Sequence, residues 1–470
     1  MSTIQISKSD YTLAQGTTLT VTNETAFLFQ SVDTNDGGWL TIAGDLRVIT
    51  TQPPTSPGYV HAVNVGYSSF YGLSRLTITS TGSIHVDTTA TSDVAYGTNA
   101  GSWTPRIIND GLVEVAARTA AYGLWNWGAI NDDVPAITNN GTLKVTSQGS
   151  AYGINMAAGE WLQNNGLIDV FGVDKAFGVS FFQFNSSFRN MGVIRAHDAN
   201  QIVDSVAVLF GSNVKGFFYN GGTLEGDFAL KVVSYTSDTR GNDDIFQNAG
   251  KLVGAVQLGI GNEALLNSGL VTGYVNLGAG NDFYDGREGR ADGLVSGQEG
   301  ADTLVGGVGF DNLQGNTGND SEAGGGGDDF VVGGRDDDIL LGDGGDDVVY
   351  GNLGADTCDG GDGADIVRGG QGDDVVRGGV GDDFMSGDKD SDTITGGAGA
   401  DIFHTFGDAG MDRVLDFSLA QRDRVQLDPG TQYTVSQVGA DTVISMTGGG
   451  QMVLVGVQMS SLTGNWIFGA

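Results

Sequence analysis

The chain is 470 residues long, enough for one large domain or several ordinary ones; glycine supplies 79 of them, proline only 6, and 57 acidic against 22 basic side chains give a formal net charge of −35. A polyanion of this size repels phosphate backbones and anionic lipid surfaces, which excludes nucleic acid as a partner, and no stretch reaches the ~20 apolar residues of a transmembrane helix. One cysteine, Cys358, and four scattered histidines leave neither a disulfide framework nor a nitrogen–sulfur metal site.

The N-terminus, MSTIQISKSDYTLAQG, lacks the apolar core of a cleavable leader, so a route out of the cell is expected to differ from the usual one. Up to residue 275 a short motif recurs: IAGDLRV (42–48), STGSIHV (80–86), NDGLVEV (109–115), NNGTLKV (139–145), NNGLIDV (164–170), NMGVIRA (190–196), NGGTLEG (220–226), NAGKLVG (248–254) and NSGLVTG (267–273). From Gly82 to Gly269 the central glycines are 19 to 30 residues apart. AYG at 121–123 and 151–153 and AFG at 176–178 each follow such a glycine by 12 residues, and AYG at 95–97 is a looser match. Alternation at Leu143 and Val145, and at Ile168 and Val170, predicts strands with one buried face; helix signals are nearly absent. Each unit reads as turn, strand, corner, second strand and return loop. Units that cannot bury a face alone must stack, which predicts an all-β, right-handed parallel β-solenoid. Its Asn-Gly turns would supply left-handed backbone and amides that stack as ladders, and TQPPTSPG (51–58) would be a loop thrown out from an early coil. By pattern this half resembles secreted β-helix passengers and polysaccharide-active β-helices.

From Gly297 to His404 the sequence is twelve consecutive nonapeptides, among them GGGGDDFVV (324–332), GGQGDDVVR (369–377) and GGVGDDFMS (378–386). Position 1 is always Gly and position 6 always Asp: Asp302, Asp311, Asp320, Asp329, Asp338, Asp347, Asp356, Asp365, Asp374, Asp383, Asp392 and Asp401. Position 4 is Gly except at Asp336 and Asp390; position 8 is apolar, counting Cys358, except at Glu322. Two looser units carry Asp282 and Asp292. Residues 276–404 hold 36 glycines and 29 carboxylates against 6 basic side chains, a local charge of −23. Glycines at positions 1, 2 and 4 permit positive φ, so six residues can turn tightly and the other three form a minimal strand with one side chain in a thin core. A fixed Asp beside inward carbonyls offers oxygen ligands only, a calcium environment. The position-5 carboxylates Asp328, Asp346, Asp373 and Asp382 are expected to point to solvent and keep the chain soluble rather than bind metal.

The pattern G-G-x-G-x-D-x-U-x resembles the RTX calcium-binding repeat. The resemblance implies a β-roll in which two repeats make one turn and Ca2+ sits between repeats 18 residues apart, with Asp282 and the twelve position-6 aspartates as ligands. About seven to ten ions are expected, fewer if the Asp336, Asp390 and Glu322 units bind poorly.

After the repeats, DRVLDFSLAQRDRVQLDPG (412–430) alternates apolar and charged residues and TVISMTGGGQMVLVGV (442–457) reads as a hairpin. Such sequences resemble the β-cap and uncleaved C-terminal signal of type I secretion substrates. The expected organisation is therefore a solenoid at 1–275, an RTX β-roll at 276–404 and a cap with secretion signal at 405–470, stacked as one rod and secreted to the exterior or surface of a Gram-negative bacterium.

No H-E-x-x-H occurs, which excludes a serralysin-like metalloprotease, and the long apolar helices of a pore-former are missing. The pairs Asp132/Asp133 and Asp243/Asp244 read as loop carboxylates. Trp125, Trp127, Trp161, Phe181, Phe182, Phe184 and Phe188 suit core packing, with a strip that binds surface glycans as the alternative. The functional expectation is a non-enzymatic protein that assembles with its own copies into a surface layer, filament or biofilm-matrix fibre; a β-helix lyase or epimerase, or an adhesin, are the alternatives.

Overall fold

The computed structural model describes residues 4–5, 11–22, 27–29, 39–49, 59–65, 75–89, 94–100, 106–126, 136–156, 161–182, 187–199, 205–211, 217–233 and 243–469. The chain forms two compact units, residues 1–260 with 270–273, and residues 261–269 with 274–470. The segment 51–58, Asp132, Asp133, Trp127 and Phe184 lie outside the described residues.

In the first unit the coils between Trp39 and Gly211 contribute three strands rather than two, and at Phe217–Asn220 and Thr223–Val233 the second and third strands merge into one. A coil runs through Ile137–Asn139, Thr142–Ser147 and Ser150–Met156, and the next repeats it with Trp161–Asn164, Leu167–Gly172 and Lys175–Phe181. Equivalent strands pair parallel and in register, Leu143 on Ile168 and Val145 on Val170, and all four side chains are fully buried. The additional strand is the short run ending at the motif's asparagine. Three or four residues are too few for a periodic pattern, so the sequence shows it only as the tail of a return loop.

The motif's asparagines stack inside this unit. Asn109, Asn139, Asn164, Asn190 and Asn220 each donate through Nδ2 to Oδ1 of the asparagine one coil on, ending at Asn248, at 2.7–2.8 Å. The glycines two residues later do not use left-handed backbone, since none from Gly82 to Gly250 at the motif centres has a positive φ. They are required by close approach: a Cβ on Gly166 would overlap the carbonyl oxygen of Gly141, and one on Gly192 that of Gly166. The AYG motifs stack too. Tyr96, Tyr122 and Tyr152 follow one another at 4.7 Å between ring centroids, with His61 before them and Phe177 after. Phe181 and Phe188 are fully buried, Trp125 packs on Tyr96 and Tyr122, and Phe182 is exposed.

The second unit is a two-row roll. One row includes Phe330–Arg335, Val348–Leu353, Ile366–Gln371 and Phe384–Lys389; the other includes Ile339–Gly344, Thr357–Asp362 and Val375–Val380. Neighbours within a row are parallel and 18 residues apart, as in Val331 on Val349 on Val367 on Met385. These strands have six residues, twice the expected length, because each runs on through positions 1 to 3 of the next repeat, of which positions 2 and 3 also pair, as Gly334 does with Asn352 and Arg335 with Leu353. The core is one side chain thick: Val331, Leu340, Val349, Cys358, Val367, Val376, Met385, Ile394 and Phe403 are fully buried. After the repeats, Tyr433–Val438, Asp441–Met446 and Gln451–Leu454 form an antiparallel cap whose last strand extends one row through Met411–Val414. Ile467 and Phe468 close the other row against Val425 and Gln426.

Replacing Asn164 with Ala strands a buried donor on Asn139 and a buried acceptor on Asn190, and is expected to destabilise the first unit by about 2–4 kcal/mol. Asn165→Ala removes an exposed amide bond to Asn140 and should cost less than about 1 kcal/mol. Denaturant unfolding of the two variants separates them; equal effects would show that the inner stack is not what holds the coils.

Candidate metal centre

The turn between strands of the roll is short, and its backbone conformation divides the glycines into two kinds. Positions 2 and 4 hold positive φ in every repeat except 306–314, where Gly307 and Gly309 do not, and the residues that do include the non-glycines Asn316 (85°), Asn352 (80°), Asp336 (74°) and Asp390 (78°). Position 1 does not. Glycine is needed there because the position-6 carboxylate of the same repeat folds over it. A methyl on Gly378 would lie 2.5 Å from Asp383 Oδ2 and 2.6 Å from the Gly396 carbonyl oxygen, one turn on. Carboxylate and carbonyl oxygens thus flank one small space that carbon cannot occupy.

The position-6 aspartates form two buried rows. In one, the backbone N–H of Asp282, Asp302, Asp320, Asp338, Asp356 and Asp374 each donates to Oδ1 of the next, ending at Asp392, at 2.7–2.9 Å. In the other, Asp311, Asp329, Asp347, Asp365 and Asp383 do the same as far as Asp401, at 2.7–3.1 Å. The structure therefore brings together all thirteen sequence-predicted residues, and the rows pass unbroken through the Asp336 and Asp390 units. Asp292 stays outside, exposed and paired with Arg290 at 2.5 Å.

One oxygen of each carboxylate is thereby satisfied. The other is not: Oδ2 is buried and without a hydrogen-bond partner in twelve of the thirteen. Asp311 differs, its Oδ2 accepting the Gly307 N–H at 2.7 Å. Burial raises these carboxyls, followed by repulsion along the row and offset by the backbone N–H: Asp338 and Asp374 to about 8, Asp302, Asp329 and Asp383 to about 7, Asp320, Asp356, Asp365, Asp392 and Asp401 to about 6. Among the described residues, no three carboxylate, imidazole or thiol side chains make a metal cluster by themselves. The donor set at each turn is carboxylate plus backbone carbonyl, hard oxygens throughout, and this fits calcium.

Residues 296–321, 323–358, 359–394 and 378–405 match the RTX calcium-binding nonapeptide repeat in four copies. Residues 296–405 are an RTX calcium-binding repeat region. No curated protein matches the chain. The solved structure of the extracellular lipase LipA from Serratia marcescens aligns with 44% of this chain and 39% of its own, at 18% identity and a TM-score of 0.21, so the chain spans under half of that lipase.

Both aspartate rows run past the RTX region, which sequence reasoning missed. Asp401 N–H donates to Asp423 Oδ1 at 3.2 Å, and Asp412 is fully buried on the end of the other row, its carboxyl pushed up to about 8 by burial and by Asp392. The signal was present as D-R-V at 412–414 and 423–425, but the spacings of 20 and 22 residues broke the nine-residue phase. Asp416 was also missed; its carboxylate accepts the N–H groups of Gly396 and Gly397 at 2.9 Å. The position-5 residues are exposed, as expected, yet they are not idle. Asp328, Asp346 and Asp382 on one row of repeats, and Asp373 on the other, accept the N–H of the residue 18 later at 2.8–3.0 Å, forming outer rows of opposite direction.

For metal-free protein the sign of the pH dependence follows from the raised carboxyls. The unfolded chain ionises near pH 4 and the folded roll only at about 6–8, so stability falls as pH rises through this interval and stays low above it. Circular dichroism in chelator is expected to show more roll at pH 4.5 than at pH 8. With calcium the order reverses, because the ion requires the ionised form. A metal-free roll equally folded at both values would contradict this.

Proposed function

We propose that this chain is a calcium-folded structural protein, exported unfolded through a type I route by a Gram-negative cell and assembled outside it with its own copies as a surface layer, filament or matrix fibre. The observation that carries the reading is the set of twelve buried, unpartnered Oδ2 atoms. Asp282, Asp302, Asp320, Asp338, Asp356, Asp374 and Asp392 on one row would hold calcium, as would Asp329, Asp347, Asp365, Asp383 and Asp401 on the other. Asp311 would bind more weakly, since Gly307 already occupies its oxygen.

The ion supplies positive charge between stacked carboxylates and joins consecutive turns. At calcium about tenfold above its dissociation constant, each site adds roughly 1.4 kcal/mol to folding. Extracellular calcium modules have dissociation constants of about 10⁻⁴–10⁻³ M, far above cytosolic calcium, which favours folding after export. Self-contact is supported by apolar side chains on the outside of the second unit: Val308 (85% exposed), Phe310 (60%), Val380 (57%) and Ile339 (52%).

Asp374→Asn is expected to lower calcium uptake by about one ion, whereas Asp373→Asn, on an outer row, should leave the stoichiometry unchanged. Calorimetric titration of both variants checks the assignment. Electron microscopy of the purified chain should show ordered assemblies at millimolar calcium that dissolve in chelator. Monodisperse monomers at millimolar calcium would rule out the assembly reading, and release of altered sugars from alginate or pectin would replace it with an enzymatic one.

A further inference from the structure

Glu322 occupies position 8 of its repeat, where every other repeat places an apolar or thiol side chain. It lies in register between Leu304 and Leu340, is 1% exposed, and neither carboxylate oxygen has a hydrogen-bond partner. An apolar residue would fill this place without penalty, so the charge calls for a physical reason. The position-8 and position-6 side chains of one repeat are two residues apart, on the same side of the chain, and in the last repeat both reach over the position-1 glycine. In the last repeat, a methyl on Gly396 would lie 2.5 Å from Asp401 Oδ2 and 2.9 Å from Phe403 Cζ. The corresponding three residues here are Gly315, Asp320 and Glu322, and a methyl on Gly315 would overlap Asp320 Oδ2.

We propose that Glu322 is a second carboxylate ligand to calcium at the Asp320 turn, which gives this one site more negative charge than the others and makes it the first to fill. The proposal rests on the reading that the aspartate rows hold calcium. Position 6 and position 8 are two residues apart, so Glu322 lies on the same side of the chain as Asp320, whose row runs through Asp302 and Asp338. Two carboxylates beside backbone carbonyls form a hard-oxygen set with the charge of a tight calcium site, since calcium affinity rises with the number of charged ligands.

The test is calorimetric calcium titration of the full chain, wild type against E322Q, E322L and D374N, with thermal unfolding in chelator as a second readout. Wild type should show one step at least tenfold tighter than the rest. E322Q and E322L should lose that step and keep the weaker ones, while D374N should keep it and lose a weaker site. E322L places Leu between Leu304 and Leu340, so it should fold, and its metal-free form should unfold at a higher temperature than wild type. Isotherms of E322Q and E322L that coincide with wild type, while D374N binds less, would overturn the proposal and leave Glu322 a protonated acid in the core. If D374N also coincides with wild type, the calcium assignment of the rows falls, and this proposal with it.

Discussion

The second unit depends on a mismatch in one functional group. A carboxylate offers two acceptors and no donor, and each turn of the roll supplies one backbone N–H to it. Except at Asp311, the leftover oxygen is buried without a partner, and at turns such as that of Asp383 a carbonyl of the next turn lies beside it. Stacked carboxylates a few ångströms apart repel, and desolvation makes each ionised group still less favourable. A core one side chain thick cannot offset that cost across so many turns. The roll's backbone geometry is closed by its own hydrogen bonds, and its carboxylate oxygens are those that a cation between turns would balance.

Glycine serves the two units for a shared reason that composition alone conceals. At position 1 of the RTX repeats, and at the motif centres of the first unit, φ is ordinary and the requirement is that a neighbouring oxygen occupies the place of Cβ. At positions 2 and 4 of every repeat but 306–314 the backbone is at positive φ, which Asn and Asp also tolerate; hence Asn316, Asn352, Asp336, Asp343, Asp388 and Asp390 substitute there, as does Gln298, whereas position 1 is glycine in all twelve repeats. The exceptions in the sequence thus separate close approach from backbone strain.

This separation also explains what could be read in advance. The aspartate rows and the stacked asparagines were legible because the chemistry returns at a fixed interval and each copy contacts its own equivalent. The third strand of each coil was not, because three residues such as Ile137–Asn139 have no period of their own. Asp412 and Asp423 were not, because a longer loop shifts them out of phase while parallel pairing returns them to the same rows. The outer bonds of Asp328 and Asp346 were not, because an exposed carboxylate in a turn carries the same sequence signal whether or not it meets the next turn's N–H.

The two units solve one stacking problem with side chains that differ by a single group. In the first, an asparagine amide both donates and accepts, so Asn139, Asn164 and Asn190 satisfy one another along the stack and the row stays neutral. In the second, aspartate replaces the NH2 with an oxygen, the donor has to come from the backbone, and one acceptor per turn is left over. Exchange of that group converts a self-sufficient ladder into one whose stability is set by the ion concentration around it. The chain consequently carries one ladder closed by its own amides and one whose leftover oxygens suit a cation, both built on the same rule of parallel, in-register repetition. The negative charge concentrated in residues 276–404 is the direct expression of the second choice.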